Sequence, residues 1–268
     1  MKDSLGDRMK MYEGQEAARR CLPLLPVCAR LDGKAFHTFT RGLRRPYDER
    51  MSRLMIDTAR FLVDQTNARV GYTQSDEISL LWHAHDPRSQ IFMDGRIQKM
   101  TSILASLATA FFDAHLAAAL PEKAGVLALF DCRVWTVPNR VEAANAILWR
   151  EQDATKNSIS MAAQAYFSHD ALAGKNGSEM QEMLFSSHRV NWNDFPAFFK
   201  RGVYVQRRRM GRPFTATELE SLPERHEARR NPDLVVERSE VVEIDMPPLG
   251  RVKNRVDVLF EGVEPLVE

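Results

Sequence analysis

The chain has 268 residues, 44% of them hydrophobic, enough for one large core or two modest ones. With 37 basic against 36 acidic residues its formal net charge is +1, so no global field draws it to nucleic acid and any RNA-binding surface must be local. Cys21, Cys28 and Cys132 form no CxxC pair and are odd in number, which argues against a disulfide framework or a zinc ribbon and fits a reducing cytoplasm.

No run of about 18 apolar residues offers a membrane span. The polar start MKDSLGDRMKMYEGQ lacks the apolar stretch of a signal peptide. Leu24 to Leu31 is a short apolar run that predicts a strand ending at Asp32-Gly33. Asp48 then caps a helix whose Met51, Leu54, Met55, Thr58, Phe61 and Leu62 follow i, i+3, i+4, i+7 spacing. In ARVGYTQSDEISLLW, two β-rich runs flank Ser75-Asp76-Glu77, which reads as a hairpin with those residues near its tip. A second long helix runs from about Arg96 to Leu120, with Ile97, Met100, Ile103, Leu104, Leu107 and Phe111 on its apolar face. Pro121 stops it. Gly125 to Phe130 reads as a fourth strand.

The order strand–helix–strand–strand–helix–strand is the ferredoxin-like split unit. The expected fold is therefore α+β, with the split unit over residues 1–137 and a helical and small β region over 138–268 packed on it. In that region Asn139 caps a helix reaching about Ser168, and residues 174–177 make a turn. Ser178 with Gln181 forms a capping-box pattern. Gly202 to Arg208 reads as a strand, and residues 211–238 as a polar, mobile excursion. A strand pair is expected around Val241–Ile244 and Val256–Phe260.

In the split topology the third strand lies between the first and second. Asp32, at the end of the first strand, then sits beside Asp76 at the hairpin tip. Two carboxylates at one sheet edge suit Mg²⁺, which binds through one or two carboxylates plus phosphate oxygens and waters. Two such ions can clamp the attacking and leaving oxygens of a phosphoryl transfer. Gly33 lets the backbone approach, and its carbonyl can ligate. Each residue alone also has a plain reading, Asp-Gly as a turn and Ser75-Asp76-Glu77 as a solvated tip. Arg96 and Lys99, three apart on one helical face, are placed to grip a triphosphate. Lys34 and Arg44-Arg45 are further candidates. Phe36 and His37 are candidates for stacking on or hydrogen-bonding a base, with the core as the plain reading of Phe36. Trp149, Trp192 and Phe198-Phe199 read as core or interface anchors, and His83 with His85 make a poor metal site.

Five ordered segments between about residues 20 and 205 resemble the tRNA-His guanylyltransferase family. Arg30-Leu-Asp-Gly-Lys-Ala-Phe-His-Thr-Phe39 is similar to its RxDGRxFHxF signature, and Tyr72-Thr-Gln-Ser-Asp-Glu77 to its Y-x-QSDE hairpin. Phe130-Asp-Cys-Arg-Val134 resembles FDGRV, with Cys132 in the glycine place. Trp149-Arg150, Asp153 and Asn157 resemble the WRQxD…N helix. Asn191-Trp-Asn193 with Lys200-Arg-Gly202 resembles N-x-N…KG. The resemblance implies a polymerase-type palm that extends RNA in the 3′–5′ direction. It implies Asp32, the Gly33 carbonyl and Asp76 as ligands of two Mg²⁺ ions, with Glu77 in catalytic support. Lys34, Phe36, His37, Arg45, Ser75, Arg96 and Lys99 match positions around bound nucleotide. Asn157, Lys175, Asn191, Lys200 and Arg207, with its neighbours Arg208 and Arg209, are the implied RNA contacts. GTP and ATP are the implied substrates with tRNA, in a tetramer or dimer. The RNA 5′-monophosphate is activated by a nucleoside triphosphate, and the 3′-hydroxyl of the incoming GTP attacks the activated end.

One departure separates this chain from the enzymes that mark tRNA-His. Their HINNLYN motif is replaced by Ala154-Thr-Lys-Asn-Ser-Ile159, with Thr155 in the histidine place. That pattern resembles the bacterial, archaeal and phage-type relatives that repair 5′-truncated tRNAs on the opposite strand. Two other readings remain open from sequence. One is a cyclase-like palm enzyme, which needs no long RNA surface. The other is a non-catalytic ferredoxin-like RNA-binding module, which uses exposed sheet aromatics.

Overall fold

The computed structural model describes residues 4–231 and 233–267. A helix capped by Ser4, α1 (Leu5–Ala17), comes first and buries none of its side chains. The split unit follows: β1 (Val27–Gly33), the single turn α2 (Phe36–Phe39), α3 (Glu49–Thr66), β2 (Val70–Gln74), β3 (Glu77–Trp82), α4 (Ile97–Ala119) and β4 (Phe130–Thr136). Helices α5 (Arg140–Gln164), α6 (His169–Leu172), α7 (Gly177–His188) and α8 (Ala197–Arg201) come next. The long strand β5 (Val203–Arg212), α9 (Ala216–Ser221), α10 (Glu227–Arg230), β6 (Val236–Ile244) and α11 (Arg255–Glu261) complete the chain.

All strands join one antiparallel six-stranded sheet in the order β4-β1-β3-β2-β5-β6. The first four make the split unit, with β3 between β1 and β2 as its topology requires. The expected boundary at residue 137 does not divide the sheet, because β5 and β6 extend the palm strands directly.

Alternation along the strands sorts side chains onto two faces. Val27, Ala29, Leu31, Ile78, Leu80 and Val205 form one core with α3 and α4. Asp48 starts α3 by accepting the Arg50 N–H at 3.1 Å, and Asn67, in the left-handed region, ends it. Helix α4 repeats Met100, Leu104, Ala108, Phe112 and Leu116 on its buried side. Phe112 is wholly enclosed, and its truncation to alanine is worth about 3–5 kcal/mol. On the other face Cys28, Val70, Tyr72, Leu81 and Tyr204 pack under Ala143, Ala144 and Ile147 of α5 and Val258, Leu259 and Phe260 of α11. A third small cluster joins the end of α5 to α6 and α7 through Ala162, Ala163, Leu172 and Leu184.

Several expectations need correction. The fourth strand starts at Phe130 rather than Gly125. The run 126–129 is irregular and leaves Leu127 mostly exposed, while the strand proper alternates buried apolar residues with exposed Asp131 and Arg133. The capping box of α7 belongs to Asn176 and Glu179, not to Ser178 and Gln181. Residues 211–231 and 233–238 hold the end of β5, α9, α10 and the start of β6. Arg212 pairs with Glu218 and Glu240 there, and Arg238 with Glu218. Residues 256–260 lie in α11, and β6 pairs with β5 instead. Helix α4 is long and apolar enough to cross a bilayer by composition, against the expectation that no run qualifies. Its buried stripe packs on the sheet as a core helix does, and its Asp113 accepts the Ala128 N–H at 3.0 Å.

Candidate active site

Strand register builds the site. Asp32 is the cross-strand partner of Glu77 on β3 and of Asp131 on β4. Three carboxylates therefore stand in a row on the face that carries α5. The tip of the β2–β3 hairpin is clipped to the end of β1 by a backbone bond, Gly33 N–H to Asp76 carbonyl, at 3.1 Å. That bond places Asp76 beside Asp32. Glycine is required at 33 because a Cβ there would fall 2.3 Å from the Phe36 ring. Ala35 and Ser75 take positive φ of 57° and 49° in the two turns that flank the clip.

Burial pushes the Asp76 carboxyl up, its own backbone N–H and the Ser75 hydroxyl pull it down, and the Asp32 charge pushes it up again. His37 lies close enough to lower it. Glu77 is 6% exposed, so its charge needs partners. Arg150 of α5 donates from Nε to Glu77 Oε1 at 2.7 Å and from NH2 to Asp153 at 3.0 Å. Arg30 Nε stands 3.7 Å from the second Glu77 oxygen. Burial still outweighs these cations and holds the Glu77 carboxyl above its ordinary range.

A cleft of about 560 Å³ opens beyond Asp76, lined by Gly33, His37, Arg45, Ser75 and Asp76, and by Asn157 and Ser158 of α5. That volume lies in the range of small-molecule sites. Tyr47 closes one side by packing on Phe198 and Phe199, at 5.2 and 4.8 Å between ring centroids. A wider groove of about 1280 Å³ runs along α3, α4 and β6. It is lined by residues such as Arg53, Asp57 and Arg60 that are engaged in ion pairs. The smaller cleft is the candidate site, because Asp76, of the clipped Asp32–Asp76 pair, lines it and does not line the wider groove. Among the described residues no group of three His, Cys, Asp or Glu side chains is arranged as a metal cage. Two carboxylates and a carbonyl form the sparse protein set that Mg²⁺ uses with waters and phosphates.

The predicted residues divide accordingly. His37, Arg45, Ser75, Asp76, Gly33 and Asn157 line the cleft, and Lys34 is exposed immediately after Gly33. Phe36 borders the cleft but belongs to the core, packed on Phe39, Phe112 and Phe130. Arg96 and Lys99 are not brought to the carboxylates. Arg96 is bridged to Arg20, and the neighbouring Cys21 lies close enough to Thr136, the partner of Val27 at the start of β1, for that residue to lower its thiol. Strand rise puts that end about 17 Å from Asp32. Lys200 directs its amino group to the Asn193 carbonyl and lies 5.5 Å from the Trp192 ring. Asn191 caps the short turn Trp192–Asp194 by accepting the Asn193 N–H, and Lys175 faces Glu179 at 3.8 Å. The arginine triplet does not form one basic stripe. Alternation sends Arg207 to Asp64 at 2.8 Å and Arg208 to Glu264 at 2.7 Å, and Arg209 is exposed.

Sequence reasoning missed the supporting shell. Arg30 and Arg150 lie inside quoted motifs without a role, and Asp131 joins the row only through register. The i, i+3 pair Arg150–Asp153 was the available signal for an inward-facing ion network.

A βαββαβ sheet with acidic residues at the end of β1 and at the β2–β3 tip, over a cleft of this size, defines a palm-type nucleotidyltransferase. Comparison with known proteins narrows the class. The family model described as tRNAHis guanylyltransferase matches residues 6–138. A bacterial tRNA(His) guanylyltransferase-like protein, solved in complex with ATP, is 34% identical with a TM-score of 0.78, covering 96% of this chain and 99% of that one. A bacterial protein of the same description, in complex with GTP, is 32% identical with a TM-score of 0.72, covering 96% and 98%. The tRNA(His) guanylyltransferase of Schizosaccharomyces pombe is 28% identical over 75% of this chain and 80% of its own. The chain belongs to the tRNA-His guanylyltransferase family.

Proposed function

We propose that this protein is an Mg²⁺-dependent 3′–5′ nucleotidyltransferase that restores missing nucleotides at the 5′ end of tRNA, with ATP and GTP as substrates. The observation that carries this reading is the Asp32–Asp76 pair, clipped together through Gly33 at the mouth of the cleft. Asp32, Asp76 and the Gly33 carbonyl would hold the metal, which supplies charge neutralisation for the transferring phosphate. The partial burial of both carboxylates, and the Asp32 charge that pushes Asp76 up, suit a site that accepts cations. His37, Arg45 and Ser75 bind and orient the nucleotide in the cleft. Glu77, fixed by Arg150 and Arg30, keeps the carboxylate row in register. The protein's contribution is positioning and electrostatics. In the first step the RNA 5′-monophosphate oxygen bonds to the α-phosphorus of the triphosphate, and pyrophosphate leaves. In the second, the 3′-hydroxyl of the incoming nucleotide attacks the activated 5′ phosphorus, and the nucleoside monophosphate leaves.

Repair is favoured over marking of tRNA-His by position 155. The Thr155 hydroxyl bonds back to the Glu151 carbonyl at 2.9 Å, so no imidazole faces the RNA there. The bare helix α1, with Leu5, Met9, Met11 and Tyr12 exposed, supports assembly into a homo-oligomer, and three unpaired buried cysteines suit a reducing cytoplasm. The test supplies a 5′-monophosphorylated tRNA lacking its first nucleotide, all four triphosphates and Mg²⁺. The expected product carries the missing base, matched to its opposite. Addition of a single G to full-length tRNA-His only would overturn repair, and no extension of either RNA would overturn the transferase reading.

A further inference from the structure

Trp149 stands apart from the other tryptophans. It lies in the middle of α5, yet it is 54% exposed, which removes the core half of its expectation as a core or interface anchor. Its ring lies over two guanidinium groups, 5.6 Å from that of Arg30 and 4.6 Å from that of Arg150. Those two side chains are only 17% and 12% exposed, so they lie on the protein side and the indole covers them from solvent. Two cation–π contacts with partly desolvated cations fix the ring in one orientation. A ring held in advance loses little freedom on stacking against a ligand.

The position matters as much as the exposure. Arg150 is the residue that bonds Glu77 in the carboxylate row. Asp131 and Arg133 on β4 are also exposed, so this part of the sheet face is uncovered. The nucleotide cleft lies beyond the hairpin tip, and Trp149 does not line it. The carboxylates therefore separate the cleft from an open shelf that carries one fixed, solvent-facing indole. Transfer between two reactants requires each to be held beside the reacting centre. The cleft accommodates one of them.

Resting on the transferase reading above, we propose that Trp149 is a stacking platform for the base at the reacting 5′ end of the RNA, with Arg30 and Arg150 as positioning residues for its ring. Aromatic stacking is tolerant of base identity, which suits an enzyme that must accept whichever base borders a truncation.

The test uses the full-length protein with Trp149→Leu and Trp149→Tyr. Binding of a 5′-monophosphorylated, 5′-truncated tRNA is measured by fluorescence anisotropy of labelled RNA without triphosphate. KM values for ATP and for RNA in 5′-end activation, and the mass in solution, are measured alongside. Trp149→Leu is expected to weaken RNA binding and raise the RNA KM about tenfold, with Trp149→Tyr staying within about threefold of wild type. The ATP KM and the mass should not move. Unchanged RNA binding in Trp149→Leu overturns the platform. So does a parallel rise in the ATP KM, which marks a structural cover for the ion pair, and so does a change in mass, which marks a subunit anchor. If the wild type binds RNA in a Trp149-dependent way but never modifies it, the platform stands and the transferase reading fails.

Discussion

Arg150 is the hinge of the acidic row, and its removal has a calculable consequence. In Arg150→Met, Glu77 keeps its burial and loses its 2.7 Å partner, while Arg30 remains at 3.7 Å. Breaking a buried pair on one side costs about 3–5 kcal/mol, and the surviving Arg30 contact reduces this to roughly 2–3 kcal/mol. At this chain length that corresponds to a fall in Tm of about 5–10 °C. The loss depends on pH in a defined direction. The Glu77 carboxyl already lies above its ordinary range because burial disfavours its charge, and without Arg150 it rises further. The native state then holds a proton that the unfolded state has released, so stability falls as pH rises through the native pKa. The variant should be closer to wild type at pH 5 than at pH 8. Adding Glu77→Gln should restore most of the Tm, since removing both members of a buried pair is far less costly than removing one. Thermal unfolding by circular dichroism at both pH values is the assay. A drop below about 1 kcal/mol that does not vary with pH would refute the reasoning and leave Arg30 as the effective partner.

Two further predictions concern the fold beneath the site. Gly202 sits at φ +80°, and a Cβ there would lie 2.5 Å from the Thr73 carbonyl oxygen and 2.8 Å from the Tyr72 side chain. Gly202→Ala should cost about 3 kcal/mol, read as a lowered urea midpoint; an unchanged midpoint would contradict the backbone geometry. All three cysteines are buried, and burial pushes Cys28 and Cys132 up to about 12. An aromatic disulfide reagent should find no fast-reacting thiol in the native protein at pH 8 and three after denaturation; one fast thiol would contradict the packing.

The sheet order and the Asp32–Asp76 contact were legible in the sequence because they follow from topology. A split βαββαβ unit puts β3 between β1 and β2, and the carboxylates then meet whatever the loop details. Residues 126–129 misled because apolar composition alone does not distinguish a strand from an irregular run, and the alternation of Asp131 and Arg133 was the better signal. Arg207 to Arg209 read as one basic stripe until strand alternation sent neighbours to opposite faces. Arg96 takes extended backbone angles as the N-cap of α4 and so does not share a helical face with Lys99, and helix direction places that turn at the far end of the sheet. Glu77 reads from sequence as support for the metal site without a partner of its own, and only the three-dimensional packing of α5 reveals Arg150 against it. Trp149 was hidden for the converse reason, since a large aromatic in a helix is usually core.

The most direct test of the central claim follows label from α-labelled ATP or GTP to the 5′-monophosphate of a truncated tRNA in the presence of Mg²⁺, comparing wild type with Asp32→Asn and Asp76→Asn. Both variants are expected to lose activation by on the order of 100-fold or more. Asp76→Asn should keep or slightly raise its Tm, because a repelling pair of carboxylates has been reduced to one. Label transfer that persists in either folded variant would contradict the assignment of the Asp32–Asp76 pair as the metal site.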